Sequence, residues 1–138
     1  MNTGLKTMLE EDIHAALMMW IDTIEGCEIS KLPEVVYQDQ DLVWIGTDKE
    51  DWLRGYAELK KAIQAQNNAL HNIQIKVTEE TIHTSPDENF AWVTNQWMFC
   101  AQKDGQNFEL PLRCTWIVEK REASWRIVHF HKSAGIAS

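Results

Sequence analysis

Trp125-Arg126-Ile127-Val128-His129-Phe130-His131-Lys132-Ser133 alternates like a β-strand, with His129 and His131 on one face and Val128 and Phe130 on the other. Two imidazoles side by side on the last strand of a small domain point to a polar pocket. Upstream, residues 73–77, 90–101 and 108–118 are also β-rich. Asp104-Gly105 and the stretch 120–124 separate the last three runs, so these strands are expected to pair antiparallel as hairpins.

The first half of the chain reads differently. Leu5, Met8, Leu9, Ile13, Ala16, Leu17, Trp20, Ile21 and Ile24 recur with helical spacing, and Gly26 ends the run. Ser30 opens a short second helical stretch with Leu32, Val35 and Val36, in which Pro33 is tolerated in the first turn because its missing N–H is not needed there. Leu42-Val43-Trp44-Ile45 reads as a strand and Gly46-Thr47-Asp48 as a turn. Residues 51–66 read as a third helix, with Tyr56, Leu59 and Ile63 on one side and Gly55 weakening its start. Helices first and a meander afterwards predict an α+β domain over residues 1–138, in which a curved, mostly antiparallel sheet wraps the N-terminal helix.

Composition narrows the function classes. Hydrophobic residues at 44% and charged residues at 25% are ordinary for a globular protein. Thirteen basic against twenty-one acidic residues give a net charge of −8, which argues against nucleic acid and anionic membrane surfaces as partners. Cys27, Cys100 and Cys114 are odd in number and lack Cys-x-x-Cys spacing, so reduced thiols and a cytoplasmic location are expected. The apolar run 15–21 is too short to span a bilayer, and the preceding Glu10, Glu11 and Asp12 are unlike a signal peptide. Seven tryptophans suit either a densely filled interior or a pocket with large flat walls.

Val43-Trp44-Ile45-Gly46-Thr47-Asp48 followed by Trp52-Leu53-Arg54-Gly55 resembles the SnoaL-like subgroup of the nuclear transport factor 2-like superfamily, and residues 125–133 are similar to the end of the calcium/calmodulin-dependent kinase association domain. The resemblance implies a cone-shaped fold with N-terminal helices packed on the sheet. That superfamily hosts enzymes, transport adaptors and assembly modules, so the fold alone does not give a function. In its ketosteroid isomerases a carboxylate after the first strand moves a proton, while a tyrosine on the first helix and a second acid hold the enolate oxygen. Aligned to that pattern, this sequence has Ile45 or Gly46 in place of the base, Met19 near the tyrosine and Arg113 or Cys114 near the second acid. A hydrocarbon takes no proton, so isomerase chemistry of that kind is not expected.

His129 and His131, with Arg113 or Thr115 on the neighbouring strand, form a candidate site for an anion or a carbonyl oxygen. The competing structural reading hydrogen-bonds the histidines within the sheet or places them at a subunit interface. A metal site is the weakest reading, because no acidic third ligand is suitably spaced, and no metal or cofactor is expected. Trp44, Asp48, Trp52 and Arg54 surround the loop that closes the cone by resemblance, where they gate entry or pack and cap the following helix. On residues 90–101, Trp92, Thr94, Gln96 and Met98 alternate with Ala91, Val93, Asn95, Trp97 and Phe99. Both faces are half-polar, which is expected if one lines the cone and the other meets a partner in a homodimer.

The expected function is binding of a small organic molecule, a carboxylate or carbonyl compound, by Trp44, Tyr56, Trp97, Arg113, His129 and His131. One alternative is a cyclase- or isomerase-type enzyme in which His129, His131 or Asp48 acts as acid or base. Another is a stand-alone oligomeric association module.

Overall fold

Helix α1 (Met8–Glu25) begins at a capping box, in which the Glu10 N–H donates to Thr7 Oγ1 and the Glu10 carboxylate accepts from the Thr7 N–H. The computed structural model describes residues 7–136, so Leu5 lies outside the described residues. The stripe of Ile13, Leu17, Trp20, Ile21 and Ile24 is buried, and Gly26 caps the helix end. A 3-10 turn (Ile29–Lys31) and the one-turn helix α2 (Leu32–Val35) follow, with Pro33 in the first turn.

Six strands come next: β1 (Val43–Ile45), β2 (Trp52–Arg54), then, after helix α3 (Gly55–Ala69), β3 (His71–Thr84), β4 (Phe90–Lys103), β5 (Gln106–Arg121) and β6 (Ser124–Ser133). They form one curved sheet in the order β2-β1-β6-β5-β4-β3, antiparallel throughout except where β1 runs parallel to β6. Helix α1 packs on β3 and β6, and α3 on β1 and β2. Trp116, Phe130, Ile127, Val93 and Val118 are fully buried between the layers.

The β4–β5 and β5–β6 hairpins each turn in two residues. Asp104 and Gly105 take φ of 52° and 79°, with Lys103 facing Gln106. The turn expected over residues 120–124 is tighter than that: Glu122 and Ala123 make it with φ of 49° and 67°, and Arg121 faces Ser124.

Residues 52–54 are not helical as expected from the sequence. They pair with β1 as Val43↔Arg54, Trp44↔Leu53 and Ile45↔Trp52, and the helix starts at Gly55. Gly55 makes the change of direction, with φ +84° and its N–H donating to the Leu42 carbonyl at 2.6 Å. The strand read over 73–77 extends to His71–Thr84, with a register shift between Thr78 and Thr81 where Glu79 takes φ 55°.

A second irregularity corrects the facing of the last strand. Ile117 pairs with His129 but Val118 with Ile127, so Val128 is an extra residue on β6. Ile127 and Phe130 are therefore the buried pair, and Val128 is only half-buried. His129 and His131 do share a face, with Ile117 and Thr115 opposite them.

Candidate functional site

A cavity of about 240 Å³ opens between α1, α3 and the concave face of the sheet. Its walls are aromatic: Trp20 from α1, Trp44 from β1, Trp97 and Phe99 from β4 and Phe130 from β6. The rings pack in sequence, with Trp20 and Trp44 centroids 4.6 Å apart, Trp44 and Phe130 5.0 Å, and Phe130 and Trp97 5.4 Å in a stacked pair. Trp116, fully buried, backs Phe130 at 4.2 Å. Leu59 and Ile63 close the α3 side. Asp48 and Asp51 stand at the β1–β2 loop, where the Asp48 N–H donates to Asp51 Oδ2 at 3.1 Å and the Gly46 N–H to the Asp51 carbonyl at 2.8 Å.

One cation enters this apolar space. Lys132 follows Phe130 by two residues on β6 and shares its face, opposite Cys114 on β5. Its Nζ lies 5.9 Å from the Trp97 ring centroid and 5.7 Å from that of Phe99. Burial holds the Lys132 pKa below the usual lysine range, against weaker opposing pulls from Cys114, Asp51 and Asp48. Burial likewise pushes the Cys114 thiol up to about 12, with Lys132 drawing it back slightly. Among the described residues, the indole N–H groups of Trp20 and Trp97 are buried without an acceptor. No described carboxylate lies within 4 Å of the Lys132 ammonium.

The structure brings only some of the sequence candidates to this cavity. Trp44 and Trp97 line it and Asp48 stands at its rim. Tyr56 lies in a separate groove with Asp39, Gln40 and Arg54; burial raises the pKa of its hydroxyl, which has no partner among the described residues. Arg113 and His131 face the opposite side of the sheet, in a shallow groove with Gln96, Thr94 and Thr115, where Arg113 Nε donates to Ser133 Oγ at 3.2 Å. His129 shares that face, and its Nδ1–H donates to the Val43 carbonyl at 2.7 Å, which leaves Nε2 as the acceptor nitrogen. Trp20, Phe130 and Lys132 were not singled out from sequence. The signal for Lys132 was present, because alternation from Phe130 places residue 132 on the core face.

A sequence profile described as a SnoaL-like domain matches residues 13–137. The chain belongs to this SnoaL-like family. Among curated proteins, none matches the sequence. The fold is similar to that of a nuclear transport factor 2-like superfamily protein from Salmonella enterica serovar Typhimurium, with TM-score 0.84 and 18% identity over 94% of this chain and 93% of that one. It is also similar to a candidate dehydratase of the NTF2-like family from Streptomyces avermitilis, with TM-score 0.82 and 14% identity over 93% and 97% of the two chains. A candidate calcium/calmodulin-dependent protein kinase II association domain from Xanthomonas campestris is similar over 100% and 99% of the chains, with TM-score 0.78 and 18% identity. At identities this low, the likeness shows the shared fold alone.

Within this SnoaL-like domain, the positions aligned with the isomerase machinery carry other chemistry. Met19 is 44% exposed, and its neighbour Trp20 lines the cavity. Cys114 is buried beside Lys132, and Gly46 has no side chain to offer as a base. Among the described residues the cavity's ionisable groups are Lys132, Asp48 and Asp51, so its lining residues carry one amine, two carboxylates, the Gln66 amide and two indole N–H groups without an acceptor. Among the described residues no three His, Cys, Asp or Glu side chains are grouped so as to hold a metal ion. No described helix is long and apolar enough to cross a membrane.

Proposed function

We propose that this SnoaL-like domain binds a small planar organic molecule in the aromatic cavity and holds its carboxylate or carbonyl oxygen with Lys132 and the indole N–H groups of Trp20 and Trp97. One observation carries the reading: two buried indole N–H groups without a described acceptor, and one ammonium with no described carboxylate within 4 Å, belong to residues lining one apolar cavity. A buried donor left unpaired costs about 1–3 kcal/mol, so an acceptor on the ligand is strongly favoured there. The volume of about 240 Å³ restricts the ligand to roughly the size of a substituted benzene ring. Trp44 and Trp97 supply flat walls and Asp48 stands at the entrance. Tyr56, Arg113, His129 and His131 open on other surfaces and take no part.

Titration with benzoate, followed by tryptophan fluorescence, tests the reading. Saturable quenching is expected, with affinity falling at least about tenfold in Lys132→Met, equivalent to about 1.4 kcal/mol. Absence of quenching, or equal quenching in both proteins, overturns it.

A second reading is an acid–base enzyme of the isomerase or dehydratase type, favoured by the presence of Asp48 and Lys132 in one cavity and compatible with the dehydratase candidate of the same fold. It requires that the wild type accelerate deuterium exchange at the α-carbon of a bound ketone such as acetophenone, and that Asp48→Asn abolish the effect.

The domain is further proposed to act as a homodimer through the outer sheet face, where Phe90 and Trp92 are 42% and 47% exposed. A native mass spectrum distinguishes a dimer from a ring of the association-module kind. The three free thiols are in keeping with a cytoplasmic location.

A further inference from the structure

We infer that Lys132 is a carbonyl-capturing nucleophile, whose ε-amine condenses with an aldehyde seated in the aromatic cavity to form an imine. The inference rests on the binding reading above, since it uses the same cavity for a carbonyl ligand.

The placement of the amine supports it. β6 presents Lys132 on the concave face beyond Phe130, and its Nζ lies within 6 Å of the Trp97 and Phe99 ring centroids. It is the only Lys or Arg among the described residues lining the cavity. The ionisable groups that face it are Cys114 from β5 and Asp48 and Asp51 from the β1–β2 loop, none in salt-bridge contact. An ammonium that is desolvated and unpaired gives up its proton more readily than a surface lysine does, and the neutral amine is the nucleophile. The direction of the Lys132 pKa agrees with this geometry.

The remaining groups complete the reaction. The indole N–H of Trp20 or Trp97 donates to the carbonyl oxygen, which polarises the carbon. The amine nitrogen attacks that carbon, a C–N bond forms, and a carboxylate carries one proton from nitrogen to oxygen to give a neutral carbinolamine. The same carboxylate then takes the second nitrogen proton and delivers it to the departing hydroxyl as the C–O bond breaks, so one water leaves and an imine remains. The balance is one amine plus one aldehyde to one imine plus one water, without redox change. Asp48 suits the proton-carrying role better than Asp51, whose Oδ2 already accepts from the loop backbone.

The test incubates the full chain at neutral pH with benzaldehyde and sodium cyanoborohydride, which reduces an imine to a stable secondary amine, and maps benzylated lysines by peptide mass spectrometry. Lys132 should be labelled at an initial rate at least about tenfold above any other lysine, because a desolvated amine is the more often neutral one. Excess benzoate should suppress that labelling. Lys132→Arg, which keeps a cation but forms no imine, should lose it while circular dichroism shows an unchanged fold. Labelling no faster at Lys132 than at the exposed Lys49, Lys60 and Lys61 overturns the inference. If benzoate quenches tryptophan fluorescence yet Lys132 is not benzylated, the imine fails and the binding reading stands. If neither occurs, both fall.

Discussion

Trp116 Nε1 donates to Asn95 Oδ1 at 3.1 Å across the β4–β5 ladder, inside a core whose other buried polar side chain among the described residues is Thr23. Asn95 Nδ2 donates in turn to Glu80 Oε1 at 3.4 Å, and the other Glu80 oxygen accepts from His14 Nδ1. The bulge in β3 at Glu79 precedes Glu80, which is half-buried where the strand would otherwise carry it outward. Asn95 is thus the polar link between a fully buried indole and a carboxylate near the surface. Replacing it with leucine keeps the branched shape but leaves the Trp116 N–H unpaired. Asn95→Leu should lower the unfolding free energy by about 1–3 kcal/mol in urea denaturation. A loss below about 0.5 kcal/mol would mean that water replaces the amide at no cost.

Lys132 gives the stability curve a slope of known sign. Its folded pKa lies below the ordinary 10.5, so between the two values the unfolded chain binds more protons and stability rises with pH. Cys114 acts in the opposite direction, because its thiol is held protonated from its ordinary 9 up to about 12 in the fold. Comparing wild type with Lys132→Met reads the lysine well below pH 9, where the Cys114 thiol is protonated in both states. The variant should be the more stable at neutral pH, and the gap should close as pH rises towards 10.5. A gap independent of pH across that range would mean that Lys132 is as solvated as a surface lysine.

Most of the fold could be read from periodicity, because long strands and a single long amphipathic helix each repeat their pattern many times. Three features could not. β2 is three residues long and abuts a helix, so Trp52-Leu53-Arg54 carried no strand signal of its own; its pairing to β1 is a tertiary fact. The extra residue at Val128 changes which side chains of β6 face inward, and only the register against β5 reveals it. The site was the least legible. Lysine is usually exposed, so residue type argued against Lys132 even though alternation from Phe130 placed it on the core face. The same habit of reading by residue type drew attention to His129, His131 and Arg113, which share the outer face. The two half-polar faces of β4 were equivalent on paper. Asn95 goes inside because Trp116 and Glu80 satisfy its amide there.

Gly55 is where β2 becomes α3, and two constraints meet on it. Its φ is +84°, and a Cβ built there would lie 2.9 Å from the backbone oxygen of Gln40. Gly55→Ala should therefore lower stability by about 1–3 kcal/mol through backbone strain alone. The close contact is with backbone, which cannot swing aside as a side chain can, so the loss should lie towards the upper end. Because β2 and α3 flank the cavity, benzoate affinity should weaken with it. A variant as stable as wild type would show that the Gln40 segment yields.

Asp39 and Arg121 join the segment after α2 to the end of β5. Arg121 donates to both Asp39 oxygens at 3.0 and 2.8 Å and to Glu119 at 2.7 Å, and its guanidinium lies 4.0 Å from the Tyr37 ring centroid. The Arg121 hydrogen bonds hold the Asp39 carboxyl below the usual range, with a Coulombic contribution from the same guanidinium and burial opposing. A depressed folded pKa means that the stabilisation is fully present above the unfolded value near 3.9 and is lost as pH falls through the folded value. Both side chains are partly exposed, so the pair contributes no more than about 1 kcal/mol at neutral pH. Asp39→Asn should cost up to that amount at pH 7 and nothing once the wild-type carboxyl is protonated, so the two denaturation midpoints should converge in acid. Curves that stay parallel down to pH 3 would show that Arg121 is held by Glu119 and Tyr37 without Asp39.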